Sequence, residues 1–206
     1  EKEETDNAVT GEDQAVLLFL AGAIANDVEN ARLYRLAVTD RVTGVFNRQY
    51  LAKRLPAEVD RFRRYNSILT IIVFRPDMTP EVADAREVVG TNRMAHWLAE
   101  LAQDLIREVD SLVRYNELQF VLLLPSSNSK GAQKVAERLR DKIATTPFRG
   151  KGQNYQVTAS LGVAQLSGKD QDADGLLEMA SDALDEAQSQ GGNRICFRPQ
   201  LGEGDE

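Results

Sequence analysis

Residues 107–120 read REVDSLVRYNELQF, and this stretch organises the rest of the chain. REVD (residues 107–110) is interpreted as a helix end, SLVR as a short strand, and YNE (residues 115–117) as a turn. The apolar run FVLLL (residues 120–124) then predicts a second, buried strand. The stretch therefore forms a hairpin with a charged pair at one end and a turn at the other. Both ends are candidate ligand sites, because functional groups concentrate on loops held by a scaffold.

Composition limits the classes of function. The chain has 206 residues, a net charge of −7 and a pI near 4.9, which argues against general nucleic-acid binding. A small anion can still bind at a local arginine cluster. The single cysteine, Cys196, excludes a disulfide framework, and the single histidine, His96, cannot build a histidine metal site alone. No apolar run suggests a membrane span, so we expect a cytoplasmic protein with no direct membrane insertion by this segment.

Outside the hairpin, hydrophobic periodicity predicts helices separated by strands. Two strands form a direct hairpin and the others alternate with helices, and no phosphate-binding glycine motif is present. We therefore predict an α+β fold in which helices flank one mixed β-sheet. The predicted helices are 14–36, 48–65, two within 81–106 divided near Gly90, 130–144 and 174–188, and the further strands are 68–74, 156–166 and 194–197.

The first predicted helix has Thr10 as its N-cap and an apolar stripe at helical spacing. A helix of this length must pack its stripe on an upstream domain, on a second copy of the chain, or on both. We expect a homodimer through a parallel two-stranded coil, although Asp27 lies near the seam. The alternative is the first helix of the globular domain. The stripe consists of Leu17, Leu20, Ile24, Val28 and Ala31.

Four segments, in order, resemble motifs of the GGDEF domain of diguanylate cyclases. DRVTGVFNR (residues 40–48) resembles D-x-L-T-G-L-x-N-R, and REVD (107–110) resembles R-x-x-D. TASLGVA (158–164) resembles T-x-S-x-G-V-A, and GGNR (191–194) resembles the closing G-x-N-R. The resemblance implies a palm fold like that of nucleotidyl cyclases. The expected organisation is a flexible tail (1–10), a signalling helix (11–39), the GGDEF-like domain (40–199) and a second flexible tail (200–206).

The family's signature aligns with a stretch in which only the last residue matches. Two glycines that let backbone approach a nucleotide phosphate are replaced by Asn116 and Glu117, and the following acids by Leu118 and Gln119; Phe120 alone is retained. A turn that has lost its acids has lost the carboxylate ligands that Mg²⁺ requires. We therefore expect a degenerate signature.

Other functional positions of the family are also altered. Its remaining metal-binding aspartate aligns with Arg75, although Asp77 follows two residues later. A guanine-reading aspartate aligns with Ala95, and the lysine that touches phosphate aligns with Gln188. Two-metal phosphoryl transfer needs a clamp for the attacking and leaving oxygens. We therefore expect no Mg²⁺, no cofactor and no cyclase activity.

The R-x-x-D pair of the family forms a site for the product, cyclic di-GMP. By resemblance, Arg107 reads the guanine edge, because arginine offers a planar two-donor fork, and Asp110 accepts from guanine nitrogens. A further family arginine aligns with Arg138, and Lys134 lies one turn earlier on the same helix face. The alternative is a solvated helix end with Arg107 paired to a neighbouring acid. RFRR (residues 61–64) is predicted to be a solvated helix face.

Residues 13–34 resemble the last helix of a GAF sensory domain, which ends in a similar E-N-A-R-L-Y. The chain is therefore expected to be part of a longer signalling protein. Three functions remain open: a cyclic di-GMP receptor, a nucleotide-independent dimerisation module that relays the sensor signal to a protein output partner, and a regulatory domain that binds GTP without turnover.

Overall fold

The computed structural model describes residues 11–168 and 171–198. The predicted N-cap Thr10 and the predicted tails, 1–10 and 200–206, lie outside these residues. The chain divides into two compact units, one that ends at Val38 and one that begins at Thr39. Within the first unit, α1 (Gly11–Val38) is one continuous helix, slightly longer than predicted at both ends. Its large apolar side chains, Leu17 and Ile24 among them, are exposed.

The second unit is a mixed sheet with helices on both faces, which confirms the predicted fold class. The sheet order is β1-β3-β4-β2-β7-β8; β1–β3 and β7–β8 are parallel and the other neighbours antiparallel. A separate hairpin is formed by β5 and β6. The elements are β1 (Phe46–Asn47), α2 (Arg48–Tyr65), β2 (Leu69–Pro76), α3 (Pro80–Val89), α4 (Thr91–Gln103), β3 (Ser111–Arg114), β4 (Phe120–Pro125), α5 (Ser129–Thr145), β5 (Phe148–Gly150), β6 (Gln153–Tyr155), β7 (Ala159–Leu166), α6 (Ala173–Ser189) and β8 (Ile195–Arg198).

Alternation along β2 divides the core into two layers. Phe74 and Ile72 belong to a layer that includes Leu98 of α4 and Leu139 of α5. Ile71, one residue out of phase, belongs to the opposite layer, because successive side chains of a strand point to opposite faces. That layer contains apolar residues of α2 and α6, namely Leu51, Leu55, Leu176 and Leu184. The sheet is therefore buried on both faces, and polar side chains that bind ligands are left to its edges and strand ends.

Close packing between β7 and α6 explains the glycine of the TASLGVA segment. A Cβ atom placed on Gly162 would clash with the backbone of Ala180 and Leu184. Only glycine permits this approach of helix to strand. The contact fixes α6, and therefore the turn that follows it, relative to the end of β2.

Three local predictions were wrong. Residues 107–110 do not end a helix: α4 stops at Gln103, and these residues form a separate turn. The strand predicted over 68–74 continues to Pro76, because Arg75 and Pro76 also pair with β7. The short strands β1, β5 and β6 were missed. Pro56 does not interrupt α2, whose apolar face is buried on both sides of it.

Candidate ligand-binding site

The turn between α4 and β3 is closed by the two residues of the R-x-x-D motif. The Asp110 carboxylate oxygen Oδ2 accepts a hydrogen bond of 2.9 Å from the Arg107 backbone N–H, and the Asp110 N–H donates to the Arg107 carbonyl at 3.0 Å. Asp110 is buried at 9% exposure, whereas Arg107 is exposed. The spacing of three residues between Arg107 and Asp110 therefore forms a turn. This turn fixes the carboxylate and leaves the guanidinium exposed to solvent.

One oxygen of this carboxylate lacks a partner. Oδ1 of Asp110 is buried and has no hydrogen bond within the described residues. Burial raises the pKa of Asp110 above its usual 3.8, and the backbone N–H and positive charge of Arg107 offset part of the rise. Because the folded-state pKa is raised, the group favours folding only at low pH, and that stability is lost as pH rises through the raised pKa. When this carboxylate is ionised, its buried oxygen Oδ1 lacks a hydrogen bond, and a ligand that donates one would stabilise the charged form.

A cavity of about 550 Å³ lies against this turn. Arg54 and Arg61 of α2 line it together with Arg107, so three guanidiniums share one cavity with the Asp110 carboxylate. Buried Glu58 orients the two helix arginines, at 2.6 Å from Arg54 and 3.8 Å from Arg61. Arg61, for which a solvated helix face was the prediction and a phosphate role the alternative, is exposed and also lines the cavity. Sequence reasoning missed Arg54. Its only sequence signal is that it precedes Arg61 by seven residues, which places both on one face of α2.

The other two predicted binding residues lie elsewhere. Lys134 and Arg138 are exposed on α5, and neither lines the cavity beside Asp110. Lys142, one turn after Arg138, forms an ion pair of 2.8 Å with Asp104 just beyond α4. The structure therefore brings Arg107 and Asp110 together and leaves Lys134 and Arg138 outside their cavity.

The signature turn connects β3 and β4 at the other end of the hairpin. Leu118 is buried at 9% exposure and belongs to the hydrophobic core. Gln119 closes the turn, since its carbonyl accepts from the N–H groups of Tyr115 at 2.9 Å and Asn116 at 3.1 Å. None of residues 115–119 has a positive φ, so this turn does not require glycine. The side chain of Leu118 therefore packs in the core and offers no oxygen to a metal ion.

Arg114 braces the turn, and sequence reasoning missed it. Its guanidinium donates to the Glu117 carbonyl at 2.9 Å and to the Asp40 carboxylate at 3.0 Å. The same carboxylate oxygen accepts from the N–H and hydroxyl of Thr43 at 2.9 and 2.8 Å. The DRVTG segment and the signature turn therefore form one hydrogen-bonded unit. Its only sequence signal is that an arginine directly precedes the turn.

The residues that align with a metal ligand and a phosphate ligand are bonded to each other. Arg75 Nε donates to Gln188 Oε1 at 2.6 Å, and Arg75 Nη2 forms an ion pair of 2.7 Å with Asp185. A guanidinium thus occupies the end of β2, where the family has an aspartate, and it repels cations. Arg75 also lines a cavity of about 430 Å³ with Arg86 and the signature turn.

Asp77, the acid that remains near this end of β2, is fully engaged by the protein. Its two carboxylate oxygens accept hydrogen bonds from the Thr158 hydroxyl (2.7 Å), the Ser160 hydroxyl (2.6 Å) and the Asn193 N–H (2.7 Å). It is buried at 9% exposure, and Gly192 lies so close that a Cβ atom there would contact the carboxylate. Asp77 is therefore a structural anchor, and it offers no free oxygen to a metal.

Mg²⁺ does not fit the residues present at this strand end. It needs carboxylate and similar oxygen ligands, and the end of β2 offers a guanidinium, an apolar side chain and a saturated carboxylate. Within residues 14–168 and 171–198, no group of three or more acidic, histidine or cysteine side chains is arranged to hold a metal ion.

None of the helices in the described part of the chain is long and apolar enough to cross a membrane.

The fold and the two ends of the hairpin define an α+β signalling domain of the cyclase type. The chain belongs to the GGDEF family: residues 37–194 match the family described as "Diguanylate cyclase, GGDEF domain". It is 29% identical over 201 residues to the diguanylate cyclase DgcP of Pseudomonas aeruginosa, covering 95% of this chain and 30% of that protein. It is 27% identical over 164 residues to the response regulator PleD of Caulobacter vibrioides, covering 78% and 36%. The chain thus spans about a third of the length of these relatives.

Solved structures agree with this assignment. The diguanylate cyclase SiaD from Pseudomonas aeruginosa, solved with its activator SiaC, superimposes with a TM-score of 0.78 at 26% identity, covering 91% of this chain and 71% of that one. The FimX GGDEF domain from the same organism gives a TM-score of 0.72 at 25% identity, covering 78% and 99%. The coiled coil and GGDEF domain of DgcB from Caulobacter crescentus, at 16% identity, shares the fold with a TM-score of 0.78, covering 92% and 100%.

The anchoring role of Asp77 is testable by substitution. Asp77→Ala leaves buried donors unpaired, so we expect the free energy of unfolding to fall by at least about 2 kcal/mol in urea denaturation. Asp185→Ala is the matched control, because Asp185 is an exposed partner of an arginine and its loss should cost no more than about 1 kcal/mol. Mg²⁺ should leave the urea midpoint of unfolding unchanged in both variants. If Mg²⁺ raises this midpoint in the wild type but not in Asp77→Ala, Asp77 would be a metal ligand instead.

Proposed function

We propose that this domain is a catalytically inactive GGDEF module of a cytoplasmic signalling protein, and that it binds cyclic di-GMP in the cavity beside Arg107 and Asp110. The observation that carries the proposal is the buried, unpartnered Oδ1 of Asp110 next to an Arg107 side chain that donates no hydrogen bond within the described residues. An unsatisfied buried acceptor costs about 1–3 kcal/mol. A ligand that donates N–H groups removes that cost when it binds.

Guanine matches these two side chains. Its O6 and N7 accept from a planar guanidinium, the commonest specific arginine contact to a base, and its ring and amino N–H groups suit a carboxylate. The backbone N–H of Arg107 already holds Oδ2 of Asp110, so the carboxylate is oriented before the ligand arrives. Arg54 and Arg61 add positive charge for the phosphates of a cyclic dinucleotide. The cavity volume falls in the usual range for small-molecule sites.

The proposed loss of catalysis follows from the other end of the hairpin. Phosphoryl transfer requires metal ions to bridge and neutralise the reacting phosphates. Here Arg75 is paired with Gln188 and Asp185, Leu118 is in the core, and Asp77 is saturated by hydrogen bonds. The relative DgcP is named a diguanylate cyclase, and DgcB was solved with cyclic di-GMP. We infer that this chain shares ligand recognition with such relatives but not the synthesis.

Titration calorimetry with cyclic di-GMP tests the binding proposal. The wild type should bind, and Arg107→Ala should weaken binding at least tenfold, because the variant loses charge-assisted hydrogen bonds worth about 1.5–3 kcal/mol. Arg64→Ala is the matched control: Arg64 is an exposed arginine of α2 that does not line the cavity, and its removal should leave affinity unchanged. Affinity should also fall as pH is lowered through the raised pKa of Asp110, since only the ionised form accepts from guanine.

Two results would contradict this assignment. One is the absence of heat at micromolar cyclic di-GMP in the wild type. The other is equal affinity in Arg107→Ala and the wild type. GTP titrated in the same way distinguishes the third alternative, because GTP binding that survives in Arg107→Ala would place a nucleotide in the cavity lined by Arg75 and Arg86.

A second candidate function, dimerisation and relay, is favoured by α1. Leu17, Ile24 and Val28 are 59%, 62% and 63% exposed, and an apolar stripe of this kind needs a covering partner. We infer that a second copy of α1 covers it in a parallel coil and that the helix derives from a GAF-type sensor. The DgcB structure includes a coiled coil, and SiaD was solved with a protein activator, which supports dimerisation and a protein partner as features of this proposal.

Sedimentation of the full chain tests the proposed dimer. The wild type should sediment as a dimer, and the double variant Leu17→Lys, Ile24→Lys should sediment as a monomer, because two charges on each helix cannot be desolvated at the seam. Asn26→Lys, on the opposite face of α1, is the control and should remain dimeric. A monomeric wild type, or a dimer that is unaffected by the double variant, would contradict the coil.

A further inference from the structure

A third cavity, of about 350 Å³, shares no lining residue with the cavities beside Asp110 and the signature turn. It lies between the exposed side of α4 and the segment that leads from α5 into β5. On α4 it is lined by Arg93, His96, Trp97 and Glu100, and on the other side by Thr146, Pro147, Phe148 and Arg149. None of these residues has a role in the proposed cyclic di-GMP site.

One wall of this cavity is an aromatic surface held in place by the core. Trp97 is partly buried, and its ring packs at 5.3 Å on the ring of Phe148, which is 2% exposed. Tyr155 of β6 packs on Phe148 in turn, at 6.4 Å. Because buried rings fix its orientation, the indole offers a rigid contact surface at little conformational cost.

The rim of the cavity is positively charged although the chain carries a net charge of −7. Arg93 and Arg149 are exposed, and neither forms an ion pair within the described residues. Arg93 Nη2 donates to the Arg149 carbonyl at 3.4 Å, which keeps the two arginines on the same rim. The one acid of the lining, Glu100, is contacted by His96 at 3.3 Å. The lining therefore carries two arginine charges against one carboxylate, which leaves it with a net positive charge.

We propose that this cavity binds a planar aromatic anion of the nucleoside monophosphate class, with the ring against Trp97 and the phosphate between Arg93 and Arg149. Bases stack on aromatic side chains with little dependence on sequence. Guanidinium groups match phosphate oxygens in geometry and charge. The enclosed volume suits a small molecule rather than an extended peptide. The site is independent of the proposed function, because it uses neither Arg107 nor Asp110.

A single reporter makes the proposal testable in the intact chain. Trp97 is the only tryptophan, so its indole N–H gives one identifiable signal in a nitrogen-edited NMR spectrum. AMP is the probe. We expect a saturable shift of this signal, and we expect Arg149→Gln to raise the apparent Kd at least tenfold by removing charge-assisted hydrogen bonds. Because Arg149 is exposed, the backbone signals of the variant should otherwise match those of the wild type.

Two control variants isolate the site. Arg64→Gln removes another exposed arginine that lies beside an aromatic ring, 5.9 Å from the centroid of Tyr65, and it should leave the AMP titration unchanged. Arg107→Ala should also leave the AMP titration of the Trp97 signal unchanged. A failure of the cyclic di-GMP proposal can therefore be told apart from a failure of the proposed AMP site.

Three results would overturn the proposal. The first is no indole shift at millimolar AMP, and the second is an identical titration in Arg149→Gln. The third is displacement of AMP by inorganic phosphate at equal concentration, which would show that the aromatic wall contributes nothing. A hexaglutamate peptide that shifts the indole signal where AMP does not would likewise replace the nucleotide with an acidic partner.

Discussion

The carboxylate of Asp77 holds the end of β2 against the start of β7 and the turn that follows α6. It receives hydrogen bonds from two side chains near the start of β7, Thr158 and Ser160, and from the backbone of Asn193 in the turn after α6. These contacts join the end of β2 to β7 and to the turn that leads into the edge strand β8. Two of the four family motifs, TASLGVA and GGNR, meet at this one side chain. Their polar residues therefore serve the fold here, whatever chemistry relatives perform beside them.

The proposed loss of catalysis at one end of the hairpin leaves the geometry of the other end intact. Arg75, two residues before Asp77, forms an ion pair with Asp185 and donates a hydrogen bond to Gln188, both of α6. The substitution is compensated locally, so the fold tolerates an arginine where a metal site would need an acid. On the other side of the hairpin, the turn formed by Arg107 and Asp110 depends only on its own backbone hydrogen bonds. The two ends of the hairpin can therefore change independently.

The sequence predicted the large elements well because each has a clear period. Helices α2, α5 and α6 and strands β2, β4 and β7 carry apolar residues at helical or strand spacing, and their bounds differ from the predictions by a few residues. Strands of two or three residues, such as β1 and β6, are too short to show a period. The predicted strand stops at residue 74 because Arg75 and Pro76 are poor strand residues, and pairing with β7 overrides that preference.

The candidate sites were less predictable, because their contacts join distant parts of the chain. Family motifs led to Arg107 and Asp110, but nothing in the sequence places Arg54 at the same cavity or pairs Arg75 with Gln188, 113 residues away. Arg138 was carried over from the family's pattern, and its position on α5 does not bring it to the cavity. The Trp97 cavity has no motif at all, because packing of Phe148 against a surface helix creates it.

The proposed loss of catalysis depends on Arg75 standing at the end of β2, where synthesis would need a metal-binding carboxylate. Incubating the purified chain with GTP and Mg²⁺, followed by separation of the nucleotides by anion-exchange chromatography, tests it most directly. We expect GTP to be recovered unchanged and no cyclic di-GMP to form, because the part of the chain that the structure describes has no group of three or more acidic, histidine or cysteine side chains arranged to hold metal ions. Detectable cyclic di-GMP that disappears when Mg²⁺ is chelated would contradict this account.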